Sequence, residues 1–308
     1  MLGGGGKRPR GFSEVGDDVA WEPAGKGKLV VKVDMLVEGT DVPKGMTYRQ
    51  AARKAVAACI SDFAAKGVRP SSFMCSIGVR RGTSMAKVRE VASGFRDAER
   101  EWGARMVGGD TNEAKELVID CAMFGFARKI VGRSGAKPGD AVVVSGFFGY
   151  PPAGLKILTA GAKSKGRLRE RAVSSVLRPT PGLAVGVALA RSLSSGIDSS
   201  DGLARSLHEL AKASRVGLEI ITLPVGPGVK GFASENGLDW RDLVLAGGEE
   251  YCVVGTVPQS HLRAAVRSVG RAGGKLVVIG KVTRSRGVFL KSGAGPRRIP
   301  DVGWTHLG

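Results

Sequence analysis

The sequence is poor in the side chains that carry most metal, redox and proton-transfer chemistry. Its 308 residues include three histidines and four cysteines. Cys59, Cys75, Cys121 and Cys252 sit in apolar contexts such as AACIS and FMCSI, with no CxxC spacing. That pattern argues against a zinc site or a disulfide framework and leaves buried free thiols as the expectation. Aromatic residues make up 6% of the chain, and none interleave with basic runs in the manner that stacks nucleic-acid bases. No apolar run reaches the roughly 18 to 20 residues of a membrane span. The start, MLGGGGKRPRGF, lacks the apolar stretch and cleavage site of a secretory signal, so the expected location is the cytoplasm. Also absent are a GxxxxGK[ST] loop, a GxGxxG opening a helix after a strand, and the catalytic-loop signature of protein kinases.

Acid is scarce too. Lys and Arg number 47 against 28 Asp and Glu, a formal net charge of +19. Three readings of that excess stay open: a solvated basic surface, attraction of polyanionic small substrates such as nucleotides and phosphate esters, or nucleic-acid binding. The basic clusters are short and scattered (Lys7 to Arg10, Arg80 and Arg81, Lys163 to Arg171, Arg284 to Arg286). Scatter and the lack of aromatics rank nucleic acid last.

Strands and helices alternate through the chain. Lys28 to Leu36 reads as a buried strand. A helix is expected from an N-cap at Thr47 to a stop at Gly67. A strand over Ser71 to Val79, a helix from about Ser84 to Gly103 and a strand into GGD follow, with another in LVIDCAMFGFAR. The turn GAKPGD, Gly135 to Asp140, precedes the apolar strand AVVVSG. The later half reads as a helix ending near Leu193 and SGIDSSDGLARSLHELAKAS as strand, turn and helix. The strand VGLEIITL, a helix near Gln259 to Ala272 and the strand KLVVIGKV complete it. The expected organisation is a flexible segment over 1–12, an N-terminal domain over 13–134 and a C-terminal α/β domain over 135–308. The fold class is mixed α/β.

The informative feature is where this basic chain keeps its aspartates. Asp17, Asp18, Asp34, Asp62, Asp110, Asp198 and Asp201 each end an apolar run or adjoin glycine, where an unpaired carboxylate is costly to desolvate. Singly, each has an ordinary explanation as a turn residue, and Asp201 could cap the helix after it. Seven together, without histidine or cysteine beside them, point to a hard cation. Magnesium is the expected ion, because it takes oxygen ligands and bridges carboxylates to nucleotide phosphates. With no Walker loop, the phosphates would be held by metal, by backbone at Gly108 and Gly109, and by basic groups such as Arg133.

The ordered series GDDVA (16–20), VDMLVEGTD (33–41), AARKAVAACISDFAAKGVRP (51–70), GGDT (108–111), GRSGAKPGD (132–140), DSSDGLARSLH (198–208) and GGEEY (247–251) resembles the thiamine-monophosphate kinase family, its archaeal branch more than its bacterial one. The match runs from about Ser13 to the end. The resemblance implies a homodimer whose N-terminal sheets pair across a two-fold axis, each followed by a C-terminal α/β sandwich domain. It implies ATP-dependent conversion of thiamine monophosphate to thiamine diphosphate by in-line transfer, with no side-chain nucleophile. It also implies several magnesium ions held by Asp18, Asp34, Asp62, Asp110, Asp198 and Asp201. ATP would contact Gly109, Asp110, Arg133 and Ser200; thiamine monophosphate would contact Asp41, Glu249 and Trp304, the last stacking on its rings. Neither a membrane nor nucleic acid is an expected partner.

Departures from the family pattern are instructive. Lys32 and Val33 stand where the family carries hydroxyl side chains before the strand aspartate, and an inward Lys32 would replace part of an ion's charge. Asp41 stands where bacterial members carry histidine or an aromatic. Two alternatives remain in view: an ATP-dependent synthase acting on another phosphorylated metabolite, and a non-catalytic nucleotide- or RNA-binding protein.

Overall fold

The computed structural model describes residues 16–293 and 295–305; the segment over 1–12, with its glycine run and the Lys7 to Arg10 cluster, lies outside them. The chain forms two mixed sheets and ten helices among these residues. The first half contains β1 (Ala20–Ala24), β2 (Gly27–Val37), the single turn α1 (Glu38–Asp41), α2 (Tyr48–Lys66), β3 (Pro70–Val79), α3 (Met85–Trp102), β4 (Arg105–Glu113) and β5 (Val118–Ala127). Its sheet runs β1-β2-β5-β3-β4. Only β3 and β4 are parallel, because α3 carries the chain back between them.

The second half comprises β6 (Ala141–Val144), α4 (Tyr150–Ala160), α5 (Gly166–Leu177), α6 (Leu183–Ala190), β7 (Ser195–Ser199), α7 (Leu203–Ser214), β8 (Gly217–Ile220), α8 (Val229–Glu235), α9 (Trp240–Leu245), β9 (Cys252–Val257), α10 (Gln259–Arg271), β10 (Val277–Thr283), β11 (Gly287–Ser292) and β12 (Gly295–Arg298). The sheet order is β12-β11-β8-β10-β6-β9-β7. The unbroken apolar run of β6 is explained by cover on both faces. Val142 and Val144 pack in the core that includes Leu203, Leu207 and Leu210 of α7, while Ala141 and Val143 pack with Leu189 of α6 and Val269 of α10. The expected strand VGLEIITL stops at Ile220. There Ile221 and Thr222 both donate their N–H groups to Ile279 O, which ends the regular ladder.

Helix α2 is the spine of the molecule. Thr47 and Gln50 form a reciprocal capping box at its start, and Gly67 ends it in the left-handed region at φ 70°. Between them it is buried on nearly every side, its charged residues Arg53, Lys54, Asp62 and Lys66 included. Ile60 and Phe63 lie in the core under the first sheet, whereas Ala65 joins the core containing Leu189 and Val253 of the second half. Its many alanines permit this close approach from two directions. The helix also covers β7, an edge strand whose five residues are all buried. Cys59, Cys75 and Cys121 are buried free thiols as expected; Cys252 is only half-buried.

The face of the first sheet away from α2 stays open. Val33, Met35, Met74 and Phe126 project from it, with Val33 60% and Phe126 66% exposed. Besides the outer edge of the short β1, two runs of backbone edge are also open among the described residues of this sheet. One is β4, exposed throughout; the other is the second half of β2, since β1 pairs only with Gly27 to Val31.

Candidate functional site

Charged residues in the buried middle of α2 define the site. Asp62 and Lys66 lie one turn apart, and each meets a different part of the chain. Asp62 faces Asp18, from the turn before β1, and Asp198, at the end of β7. One carboxylate oxygen from each of the three lies within 4.8 Å of the others, and all three residues are buried. Asp34 on β2 adjoins them through Lys32, whose Nζ lies 2.9 Å from Asp62 Oδ2 and 3.9 Å from Asp34 Oδ2. Lys32 and Asp34 are two residues apart on a strand and therefore share the face turned to α2. The lysine points inward, as the sequence required if it was to act on an ion site.

The cluster holds more negative charge than its neighbours cancel. Lys66 Nζ is 2.9 Å from Asp18 Oδ2 and 2.5 Å from Asp17 Oδ1, and donates to Gly196 O at 2.8 Å. Arg133 Nε donates to Asp18 Oδ1 at 2.8 Å and its Nη1 lies 3.4 Å from Glu209. Burial works to raise the Asp18 pKa, but Lys66 and Arg133 prevail and hold it below the ordinary carboxylate value. For Asp62, burial and the facing Asp198 push the carboxyl well up against the pull of Lys32. Burial, then Asp18, lift Asp198 to about 7, with only Lys32 and a hydrogen bond from Ser61 Oγ at 2.9 Å to oppose them. Asp34 is raised by burial as well. A converging set of buried, under-compensated carboxylates fits a hard divalent cation by donor chemistry and by charge.

Two loops roof the cluster. The first, Asp198 to Asp201, leads from β7 into α7, whose N-cap is Gly202; the capping role open to Asp201 in the sequence is not the one it takes. The second is Gly247 to Tyr251. Glu249 N donates to Ser200 O at 2.6 Å and Tyr251 N to Ser199 O at 3.0 Å, which laces the loops together. Glu249 and Tyr251 both sit at positive φ, 61° and 49°, a strain on the order of 1 kcal/mol each that these bonds hold in place. Lys54, buried in α2, ion-pairs with Glu249 and donates to Asp41 O at 2.8 Å. Trp304 N donates to Asp201 O at 2.9 Å, bringing residue 304 to the same rim. A cleft of about 300 Å³ opens beside Glu249 to Tyr251, with Phe147, Tyr150, Arg171 and Arg178 among its walls.

The tertiary structure thus joins Asp18, Asp34, Asp62, Asp198 and Arg133 in one group, and Ser200, Asp201, Asp41, Glu249 and Trp304 in an adjoining one. It does not bring Asp110 to either within this chain. Asp110 pairs with Ser76, Ser76 with Asp120 and Asp120 with Met35, so it lies three strands from β2, about 14 Å at ordinary strand spacing. It also sits on the open face, whereas Asp34 pairs with Cys121 on the covered one. Gly109 has a structural need: a Cβ there would lie 2.5 Å from Cys75 O. Lys54, Ser61 and Lys66 were not singled out from the sequence. Their signal was a charged or polar residue inside an otherwise apolar helix, in the same stretch that contained Asp62.

The two halves of the chain are those of AIR synthase related proteins. The sequence model of their N-terminal domain matches residues 16–127 and that of their C-terminal domain matches 137–292. Thiamine-monophosphate kinase of Nitrosopumilus maritimus is 40% identical over 92% of this chain and 90% of its own length. That of Pyrococcus horikoshii is 35% identical over 95% and 91%. The structure of AaThiL complexed with AMPPCP and TMP superposes with a TM-score of 0.85 at 26% identity, covering 95% of this chain and 92% of that one. HypE of E. coli, a hydrogenase maturation protein with a TM-score of 0.72 at 23% identity, shares the fold alone. The chain belongs to the thiamine-monophosphate kinase family.

Proposed function

We propose that this protein transfers the γ-phosphoryl group of ATP to thiamine monophosphate, giving thiamine diphosphate and ADP. The observation that carries the reading is the buried triad of Asp18, Asp62 and Asp198, adjoined by Asp34 and roofed by the Ser200 and Glu249 loops, in a chain of this family. A phosphate oxygen of thiamine monophosphate attacks the γ-phosphorus in line, and the bond to the β-phosphate oxygen breaks with its electron pair leaving on ADP. A phosphate monoester is already a competent nucleophile, so no side chain needs to form a phosphoenzyme. Magnesium bound to the aspartates would supply the positive charge that cancels repulsion between the two anions. Asp18, Asp34, Asp62, Asp198 and Asp201 are the residues that would hold it. Ser200 and Arg133 would contact ATP, and Gly109, beside Asp110 on β4, would do so only from the partner subunit; Arg133 also holds Asp18 in place through its guanidinium. Glu249 and Asp41, tied together by Lys54, would position thiamine monophosphate at the rim, with Trp304 stacking on its rings.

The working unit in this reading is a homodimer formed through the open face and edges of the first sheet. Its apolar residues and two unpaired backbone edges support that arrangement. Pairing β4 with the open half of a neighbour's β2 would carry Asp110 of the partner subunit toward Asp34. A two-domain division near residue 134 accompanies the proposal, since among the described residues no strand crosses between the sheets. The test is formation of thiamine diphosphate from thiamine monophosphate by purified protein with ATP and magnesium, using free thiamine and Asp110→Asn as controls. Product from the monophosphate alone, abolished in the variant, is the expected result. Nucleotide and magnesium binding without product would assign the site to another phosphorylated metabolite.

A further inference from the structure

We infer that Lys32 is a built-in cation of the metal site: its ammonium holds the place between Asp34 and Asp62 that a divalent ion would otherwise take, so the wild-type chain binds one divalent ion fewer than its carboxylates could hold. The inference rests on the reading of the aspartate cluster as the ion site of the proposed kinase.

The distribution of positive charge carries the argument. Asp18 already has two partners, Lys66 and Arg133. Asp198 has a hydroxyl, from Ser61, and no cation within salt-bridge distance among the described residues. Asp62 and Asp34 share one cation, the Lys32 ammonium at 2.9 and 3.9 Å. A divalent ion bridging Asp34 and Asp62 would fall within contact distance of that ammonium, and like charges at such a distance in a buried setting exclude one another. Nothing beside it favours the metal in the contest. Val33, the neighbouring residue, has no side-chain oxygen and turns outward, 60% exposed. The lysine is also anchored: β2 pairs with β5 from Lys28 to Val37, and Lys32 lies opposite Met123, which is fully buried. The carboxylate left without a full positive charge is Asp198, and divalent ions are therefore directed to that side and to the Asp201 loop. Lys32 thus supplies charge and fixes the orientation of two ligands at once.

The experiment counts ions without using turnover. Mn²⁺ would be titrated into metal-free protein with saturating β,γ-methylene-ATP, and free Mn²⁺ followed by electron paramagnetic resonance, for wild type, Lys32→Ala, Lys32→Gln and Lys32→Arg. The two neutral variants are expected to take up one more Mn²⁺ per chain than wild type, and Lys32→Arg the same number as wild type. Equal stoichiometry in wild type and in whichever neutral variant keeps a native circular dichroism spectrum overturns the inference. So does weakened nucleotide binding with no added ion, which would make Lys32 a phosphate ligand instead. Wild type that binds no Mn²⁺ with the nucleotide would instead sink the kinase site itself, so the two failures are separable.

Discussion

Replacing Lys66 by methionine tests the charge balance on which the site depends. Lys66 is fully buried, with Nζ 2.9 Å from Asp18, 2.5 Å from Asp17 and 2.8 Å from Gly196 O. Methionine keeps most of the volume, so the loss is electrostatic rather than a cavity. Removing one partner of a buried ion pair costs about 3–5 kcal/mol. Two features set the expectation at the lower end. Arg133 remains on Asp18, and Asp17 is partly exposed, so its share is screened. The expected loss is about 3 kcal/mol at pH 7, read by urea denaturation without metal. The pH dependence gives a second arm. Asp18 is held below the unfolded value of about 4. Its contribution is therefore present above pH 4 and lost as pH falls through the folded value. In Lys66→Met burial gains weight and the carboxyl rises, so the gap between wild type and variant should shrink as pH falls toward 4. A loss below about 1 kcal/mol at pH 7, or one that does not change with pH, would refute the reasoning.

Asp198, raised to about 7 against an unfolded value near 4, makes the opposite contribution: stabilising at low pH and lost as pH rises through 7. Metal-free Asp198→Asn should accordingly be more stable than wild type above pH 7, by on the order of 4 kcal/mol, and melt higher, while losing the stabilisation that magnesium gives wild type; differential scanning fluorimetry with and without magnesium checks both. Glu249→Gln removes the one carboxylate charge paired with the buried Lys54, and the expected result is a rise of about tenfold or more in KM for thiamine monophosphate with a smaller change for ATP. Phe126→Asp places a charge on the open sheet face, and sedimentation should show a shift from dimer to monomer; an unchanged dimer would remove that face from the interface.

Much of the architecture could be read along the chain because it depends on neighbours in sequence. Thr47 with Gln50, and the glycines at 67 and 103, bound α2 and α3 through local backbone geometry, and the AVVV run announced an apolar strand, which the fold covers on both faces. The aspartates were legible for a similar reason: a carboxylate among apolar residues or glycines is conspicuous wherever the chain later carries it. What the sequence could not determine was which of them meet. Asp18, Asp62 and Asp198 are far apart in sequence and converge only because α2 is wedged between the two sheets, whereas Asp110 is led to an outer edge by the strand order. The counter-charges were equally hidden. Lys54 and Lys66 look like ordinary basic residues in a chain of net charge +19, and only tertiary packing, by burying them against specific carboxylates, separates them from the solvated rest. Charge is written in composition, but its effect scales with distance and desolvation, and both are set by the fold.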